Sequence, residues 1–149
     1  MNYTAEEIGQ YMAHCIGLAK QAKGVRKPLV GALVLSPDGN IVGVGYKKFI
    51  PGTSMIIHAE RVALDNAGED TIGGTLVTTL EPCLKMGRNQ VLCSCSELLI
   101  EREIVTVVYG LPDRNCRSNS RSPHKYLGKR GIEVIADTAW SDRIWEQLH

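Results

Sequence analysis

Residues 29–46 read LVGALVLSPDGNIVGVGY, and this stretch decides the fold. Residues 29–35 are a nearly continuous apolar run, the pattern of a strand buried on both faces. Pro37-Asp38-Gly39 is a turn signal. Residues 41–46 are a second apolar run of strand length, so the stretch predicts a β-hairpin. Toward the N-terminus, Thr4 to Glu7 reads TAEE, a capping box that opens a helix. Ile8, Tyr11, Met12, Cys15, Ile16 and Ala19 follow at helical spacing, with Gly24 as the predicted stop. Toward the C-terminus, residues 47–57 read as a loop and residues 58–67 as a helix ending before Gly68. A strand is predicted at 75–80, a helix at 95–103, a strand at 104–109 and a polar, basic loop at 111–121. Ser122-Pro123 reads as an N-cap followed by an N1 proline. The helix they open ends at Gly131. Residues 132–136 alternate around Glu133, which suits an exposed edge strand. Ser141 is the predicted cap of a last short helix. Strands alternating with helices after an opening hairpin imply an α/β fold of three layers, α/β/α. Its five-stranded mixed sheet is expected to be mostly parallel.

At 149 residues the chain predicts a single domain over 1–149. Hydrophobic residues make up 44% and aromatic ones 5%, so the core should be aliphatic. Lys plus Arg total 17 against 16 for Asp plus Glu. A net charge of +1 argues against coating nucleic acid by bulk charge. No run approaches the length of a membrane span. Glu6 and Glu7 stand where a secretory leader would carry basic residues, and the five cysteines are an odd number. Both point to reduced thiols and a cytoplasmic setting.

Three segments carry chemistry: His58-Ala59-Glu60, Glu81-Pro82-Cys83 and Cys93-Ser94-Cys95. Each lies where a loop or strand end meets a helix start, and in such sheets chemistry collects at the carboxyl ends of strands. One imidazole and two thiolates with an open fourth position form a catalytic zinc pattern. Helix N-termini also favour thiolates. Glu60 lies roughly 200° around the helix from His58, at 100° per residue. The two can therefore share only a site off the helix end. A carboxylate there can take a proton from a water acidified by zinc and pass it to a leaving group. The pattern matches H-x-E…P-C-x-x-C, the signature of zinc deaminases of nucleobases, except that the second cysteine is displaced to Cys93 or Cys95.

From about residue 25 to 136 the chain resembles the cytidine/deoxycytidylate deaminase superfamily. Within it, the chain is most similar to the deaminase domain of the bifunctional riboflavin-biosynthesis enzyme. Glu81-Pro82-Cys83, Gly87-Arg88, Asp113-Arg114-Asn115 and Gly131-Ile132-Glu133-Val134 carry this likeness. The resemblance implies a cytidine-deaminase-like fold and a zinc-dependent hydrolytic deaminase with one Zn2+ per chain. His58, Cys83 and Cys95 would be the metal ligands, Cys93 the alternative third ligand, and Glu60 the catalytic acid–base. Arg88, Asp113 and Asn115 would hold the ribose-phosphate part of a substrate. Lys27 takes the place of an asparagine that contacts the base, and Lys47 that of a histidine. The implied substrate is a pyrimidine-type nucleotide, with the aminopyrimidine intermediate of riboflavin synthesis as one candidate. The alternatives are a cytidine or deoxycytidine nucleotide and a base within a nucleic acid. The charge balance does not favour a polynucleotide. The window 114–130 nevertheless holds six cations and no acid, which keeps that reading open. Outside enzymes, the alternative is a non-catalytic, zinc-stabilised binding module. The resemblance also implies a homo-oligomer, a dimer or tetramer. Cys15 reads as core, Cys116 as an incidental thiol and Glu81 as structural. Ser94 carries no signal of its own, and His14, His124 and His149 have no partner that the sequence names.

Overall fold

The computed structural model describes residues 3–84, 93–113 and 122–149. The first part of the chain forms α1 (Ala5–Ala19), β1 (Gly31–Leu35), β2 (Ile41–Tyr46), β3 (Lys48–Phe49), β4 (Ile56–Ile57) and α2 (Ala59–Ala67). The second forms β5 (Thr75–Leu80), α3 (Cys95–Glu101), β6 (Thr106–Leu111), α4 (Pro123–Lys129), β7 (Glu133–Ala136) and α5 (Ser141–Leu148). Short 3-10 turns follow α2 and precede α5. The main sheet has the order β2-β1-β5-β6-β7.

The expected hairpin, the mixed five-stranded sheet and the three layers are all present. The sheet is less parallel than its reading implied. β1 runs antiparallel to both β2 and β5, whereas β5, β6 and β7 are parallel. The hairpin is the reason. The connection through α2 leaves β2 and returns as β5 on the far side of β1, so β1 runs against both neighbours. Residues 47–57 also differ from the loop expected there, because β3 and β4 pair, Lys48 with Ile57 and Phe49 with Ile56. Two-residue strands are too short to show alternation.

Side chains divide between the faces with the period of two that a strand imposes. Ala32, Val34, Leu76, Leu80 and Val107 lie in the core under α2, α3 and α4. Leu33, Leu35, Val77 and Val108 pack with α1 and α5 on the other face. The approach of α2 is close. A Cβ at Gly45 would lie 2.6 Å from the Ala59 carbonyl oxygen, and one at Gly43 would overlap the Ala63 carbonyl oxygen. Ala59, Ala63 and Ala67, one turn apart, meet these bare strand positions, with Val62 also against Gly45. The backbone of α2 therefore rests directly on β2, and its N-terminus has a fixed place.

The capping box of α1 forms as predicted: the Glu7 N–H donates to Thr4 Oγ1 at 3.1 Å and the Thr4 N–H to Glu7 Oε1 at 3.0 Å. The helix stops at Ala19 rather than at Gly24. Lys20 closes it by donating its N–H to the carbonyls of Ile16 and Leu18. Ser122 caps α4, and Gly131 follows that helix at φ +84°. Ser141 is not the N-cap of α5, a place taken by Trp140. It is the first residue of α5, and its hydroxyl donates to the Gly110 carbonyl at 2.7 Å, which ties α5 to β6. Among the described residues no helix is long and apolar enough to cross a membrane.

Candidate active site

α2 begins at the cleft end of the sheet. His58 is its N-cap residue, in extended conformation, and Glu60 lies in the first turn, 4% exposed. Cys83 follows the end of β5. Cys95 is the first residue of α3, whose cap is Ser94: the Ser94 hydroxyl accepts from the Glu97 N–H at 3.1 Å. Ser96 joins the two cysteine segments. Its N–H donates to the Cys83 carbonyl and its hydroxyl to the Pro82 carbonyl, both at 3.0 Å. The thiols thus meet because a strand end and a helix start are bonded together.

The convergence expected from the sequence is present. His58 Nδ1 lies 3.3 Å from Cys95 Sγ and 3.6 Å from Cys83 Sγ. The ligand-type atoms of these three residues all fall within 4.8 Å of one another, and no other such group occurs among the described residues. Both thiols are buried, whereas His58 is exposed at the cleft. Cys93 lies apart from this cluster. Arg61 Nη2 donates to the Cys93 carbonyl at 2.6 Å and sits 3.7 Å from Cys93 Sγ.

The set suits a divalent cation. Its hydrogen bond with Cys83, followed by burial, holds the Cys95 thiol well above its usual range. The same Cys83 thiol raises the His58 imidazole, against the partial desolvation that the surrounding cleft imposes on the ring. A bound cation reverses this preference for protons, since a coordinating thiol is deprotonated outright. One imidazole and two thiols are ligand types that zinc takes in catalytic sites with an open fourth position.

Glu60 and His58 line one cleft of about 120 Å³, together with Pro28, Lys47, Leu80, Glu81 and Asp113 among others. They share it off the end of α2, as the spacing required. Burial raises the Glu60 carboxyl above its ordinary value, partly offset by His58. The Thr78 hydroxyl, on β5, lies 3.2 Å from Glu60 Oε1 and 3.1 Å from the Leu80 carbonyl, and its one proton is shared between these acceptors.

Of the residues expected to bind substrate, Asp113 lines the cleft. Lys27 is not among the lining residues. Its ammonium donates to the His149 carbonyl at 3.4 Å, and the neighbouring Pro28 forms the wall instead. Lys47 does reach the cleft, and it donates to the carbonyls of Arg26 and Pro28 at 2.8 and 3.1 Å. Arg88, Asn115 and Cys116 lie outside the described residues, as does the 114–121 part of the basic window.

Other residues differ from their sequence reading. His124 has a partner: its Nδ1 lies 2.8 Å from the Tyr109 hydroxyl. Ser94 has the cap role already described, which the S-x-x-E spacing of Ser94 and Glu97 signals. Thr78 and Arg61 went unread. Their roles depend on which face of β5 and which side of α2 they occupy, and no local pattern states that.

The family described as the cytidine and deoxycytidylate deaminase zinc-binding region matches residues 5–111. Riboflavin biosynthesis protein RibD of Actinobacillus pleuropneumoniae is 41% identical over 127 residues. That match covers 84% of this chain but only 31% of the relative, so the chain spans about a third of its length. A diaminohydroxyphosphoribosylaminopyrimidine deaminase/5-amino-6-(5-phosphoribosylamino)uracil reductase from Thermotoga maritima superposes with a TM-score of 0.77 at 32% identity. The superposition covers 96% of this chain and 39% of that one. The dCMP deaminase of cyanophage S-TIM5, solved with dCMP and dUMP, shares the fold at a TM-score of 0.69 and 20% identity. It covers 91% of this chain and 99% of its own. With its matched region reaching from α1 to the end of β6, and with this site at its centre, the chain belongs to the cytidine and deoxycytidylate deaminase family.

Proposed function

We propose that the chain is a zinc-dependent hydrolytic deaminase acting on the exocyclic amine of a pyrimidine-type nucleotide. The aminopyrimidine ribosyl phosphate of riboflavin synthesis is the first candidate. One observation carries the reading: His58 Nδ1, Cys83 Sγ and Cys95 Sγ lie within 4.8 Å of one another, on the same cleft as a buried carboxylate. The likeness to RibD proteins supports the substrate class.

In this reading His58, Cys83 and Cys95 hold one zinc ion per chain. Zinc there would supply Lewis-acid chemistry that lowers the pKa of a bound water toward about 7. Glu60 takes one proton from the attacking water and gives it to the ring nitrogen, then takes the remaining proton from the new hydroxyl and gives it to the departing amine. The Thr78 hydroxyl lies beside Glu60 Oε1 and helps to orient it, sharing its proton with the Leu80 carbonyl. Asp113, which lines the same cleft, would hold the ribose-phosphate part of the substrate. Water adds to the amine-bearing carbon, the C–N bond breaks, and the products are the keto form and ammonia. The same reading takes residues 1–149 as one domain of a cytoplasmic homo-oligomer. The exposed side chains of Ile41, Phe49, Ile72 and Val105 offer apolar surface for such contacts.

The test is ammonia release by the zinc-loaded protein. The panel comprises cytosine, adenine and guanine as bases, nucleosides and nucleotides, single-stranded DNA and RNA, and the aminopyrimidine ribosyl phosphate. Release from the last of these that vanishes in Glu60→Gln is the expected result. Release that survives Glu60→Gln overturns the role of Glu60. Silence across the panel, with one zinc per chain, turns the reading toward a binding module.

A further inference from the structure

Two glutamates line the cleft, and their hydrogen bonds differ. Glu60 Oε1 accepts from the Thr78 side chain. Glu81 accepts from the main chain with both oxygens: Oε1 from the Asp113 N–H at 3.2 Å and Oε2 from the His124 N–H at 3.0 Å. Glu81 is 4% exposed, and its own N–H donates to the Leu111 carbonyl at 2.9 Å. His124 is the second residue of α4, where an amide has no partner within the helix. The His124 ring is held in turn by the hydroxyl of buried Tyr109.

We infer that Glu81 is a positioning residue of the substrate cleft, a clasp whose two oxygens hold Asp113 and the start of α4 at fixed places beside Cys83. This rests on the proposed deaminase reading in that it takes the cleft as the substrate site. Bonds from N–H groups to an ionised carboxylate are among the stronger hydrogen bonds in proteins. Two donors converging on one side chain also demand two acceptors. A glutamine offers one acceptor oxygen and turns an NH2 group against the second N–H. The clasp therefore explains why a carboxylate stands here although Glu60 holds the position beside His58.

Hydrogen exchange and kinetics together test this. In the wild-type chain the amides of Asp113 and His124 should be protected, the latter against the fast exchange ordinary for a first-turn amide. In Glu81→Gln at least one of the two should exchange about tenfold faster, a change within the range for hydrogen bonds to charged groups. Zinc content should stay at the wild-type value. With the panel substrate that releases ammonia, KM should rise about tenfold while kcat stays within about threefold. Glu81→Asp keeps two acceptors and should recover part of the loss. Unprotected wild-type amides overturn the clasp without any variant having to fold. Wild-type protection retained at both amides in Glu81→Gln overturns it as well, as does a fall in kcat at constant KM. If no panel member is deaminated, the deaminase reading fails while the exchange measurements still decide the clasp.

Discussion

Under α1 and α5, Cys15 is fully buried in a cluster with Met12, Leu33 and Val108, and its S–H donates to the Val77 carbonyl at 3.4 Å. On the opposite face of the same sheet, Cys83 and Cys95 are nearly as buried but lie within 3.6 Å of the His58 imidazole. Burial alone gives a thiol no chemistry. Cys15 is held far above its ordinary pKa by burial and stays a small apolar side chain. The other two differ because a strand end and two helix starts bring donor atoms of other types beside them. Backbone contact, by contrast, is common to both faces: α1 lays the Cys15 carbonyl on Gly31, and α2 rests on Gly43 and Gly45, which fixes where His58 and Glu60 stand.

The largest expected effect strikes only the front face. Glu60→Gln should lower turnover by about 10³-fold, within the range for a general acid–base, while zinc content and melting temperature stay near wild type. A similar loss from Cys15→Ala would erase the distinction between the faces. Next comes the seat of α2. Gly43→Ala should destabilise the protein by about 3 kcal/mol, because the new Cβ meets the Ala63 carbonyl oxygen and no flexible side chain can yield. Denaturant titration would read this, and a neutral substitution would mean that α2 is free to shift.

A pH effect belongs to the back face. The unfolded chain loses the Cys15 proton near pH 8.5, whereas the folded chain keeps it. Above that pH the unfolded state binds fewer protons, so stability falls as pH rises, by about 1.4 kcal/mol per unit for this group. Wild type and Cys15→Ala compared at pH 8 and pH 10 isolate that slope. Iodoacetamide should leave Cys15 unlabelled in the folded chain at pH 9. The smallest effect is at Gly17, inside α1 with no atom within 4 Å of a built Cβ. Gly17→Ala should stabilise by about 0.5–1 kcal/mol through helix propensity.

Much of this was legible from residue types. The hairpin stands out because its apolar runs flank Pro37-Asp38-Gly39. The reacting group stands out because His58, Glu60 and Cys83 sit at element boundaries in a recognisable order. The third cysteine is read as Cys95, with Cys93 as the alternative. That choice turns on where α3 begins, which Ser94 sets. Ala59, Ala63 and Ala67 opposite Gly43 and Gly45 form a small-residue pairing that spacing could have revealed. Other features had no local signature. The direction of β1 relative to β5 depends on where the connection through α2 returns, and β3 and β4 are too short for a pattern. The wall beside Pro28 took Lys27 away from the cleft because its ammonium meets the His149 carbonyl, a contact 122 residues apart in sequence.

The central claim is that His58, Cys83 and Cys95 form one zinc centre to which Cys93 does not belong. Its most direct test is the zinc content per chain of three purified variants, Cys83→Ser, Cys93→Ser and Cys95→Ser, against wild type. One zinc in wild type and in Cys93→Ser, with the metal lost from Cys83→Ser and Cys95→Ser, is the predicted result. A Cys93→Ser variant that empties while Cys95→Ser stays loaded would contradict it.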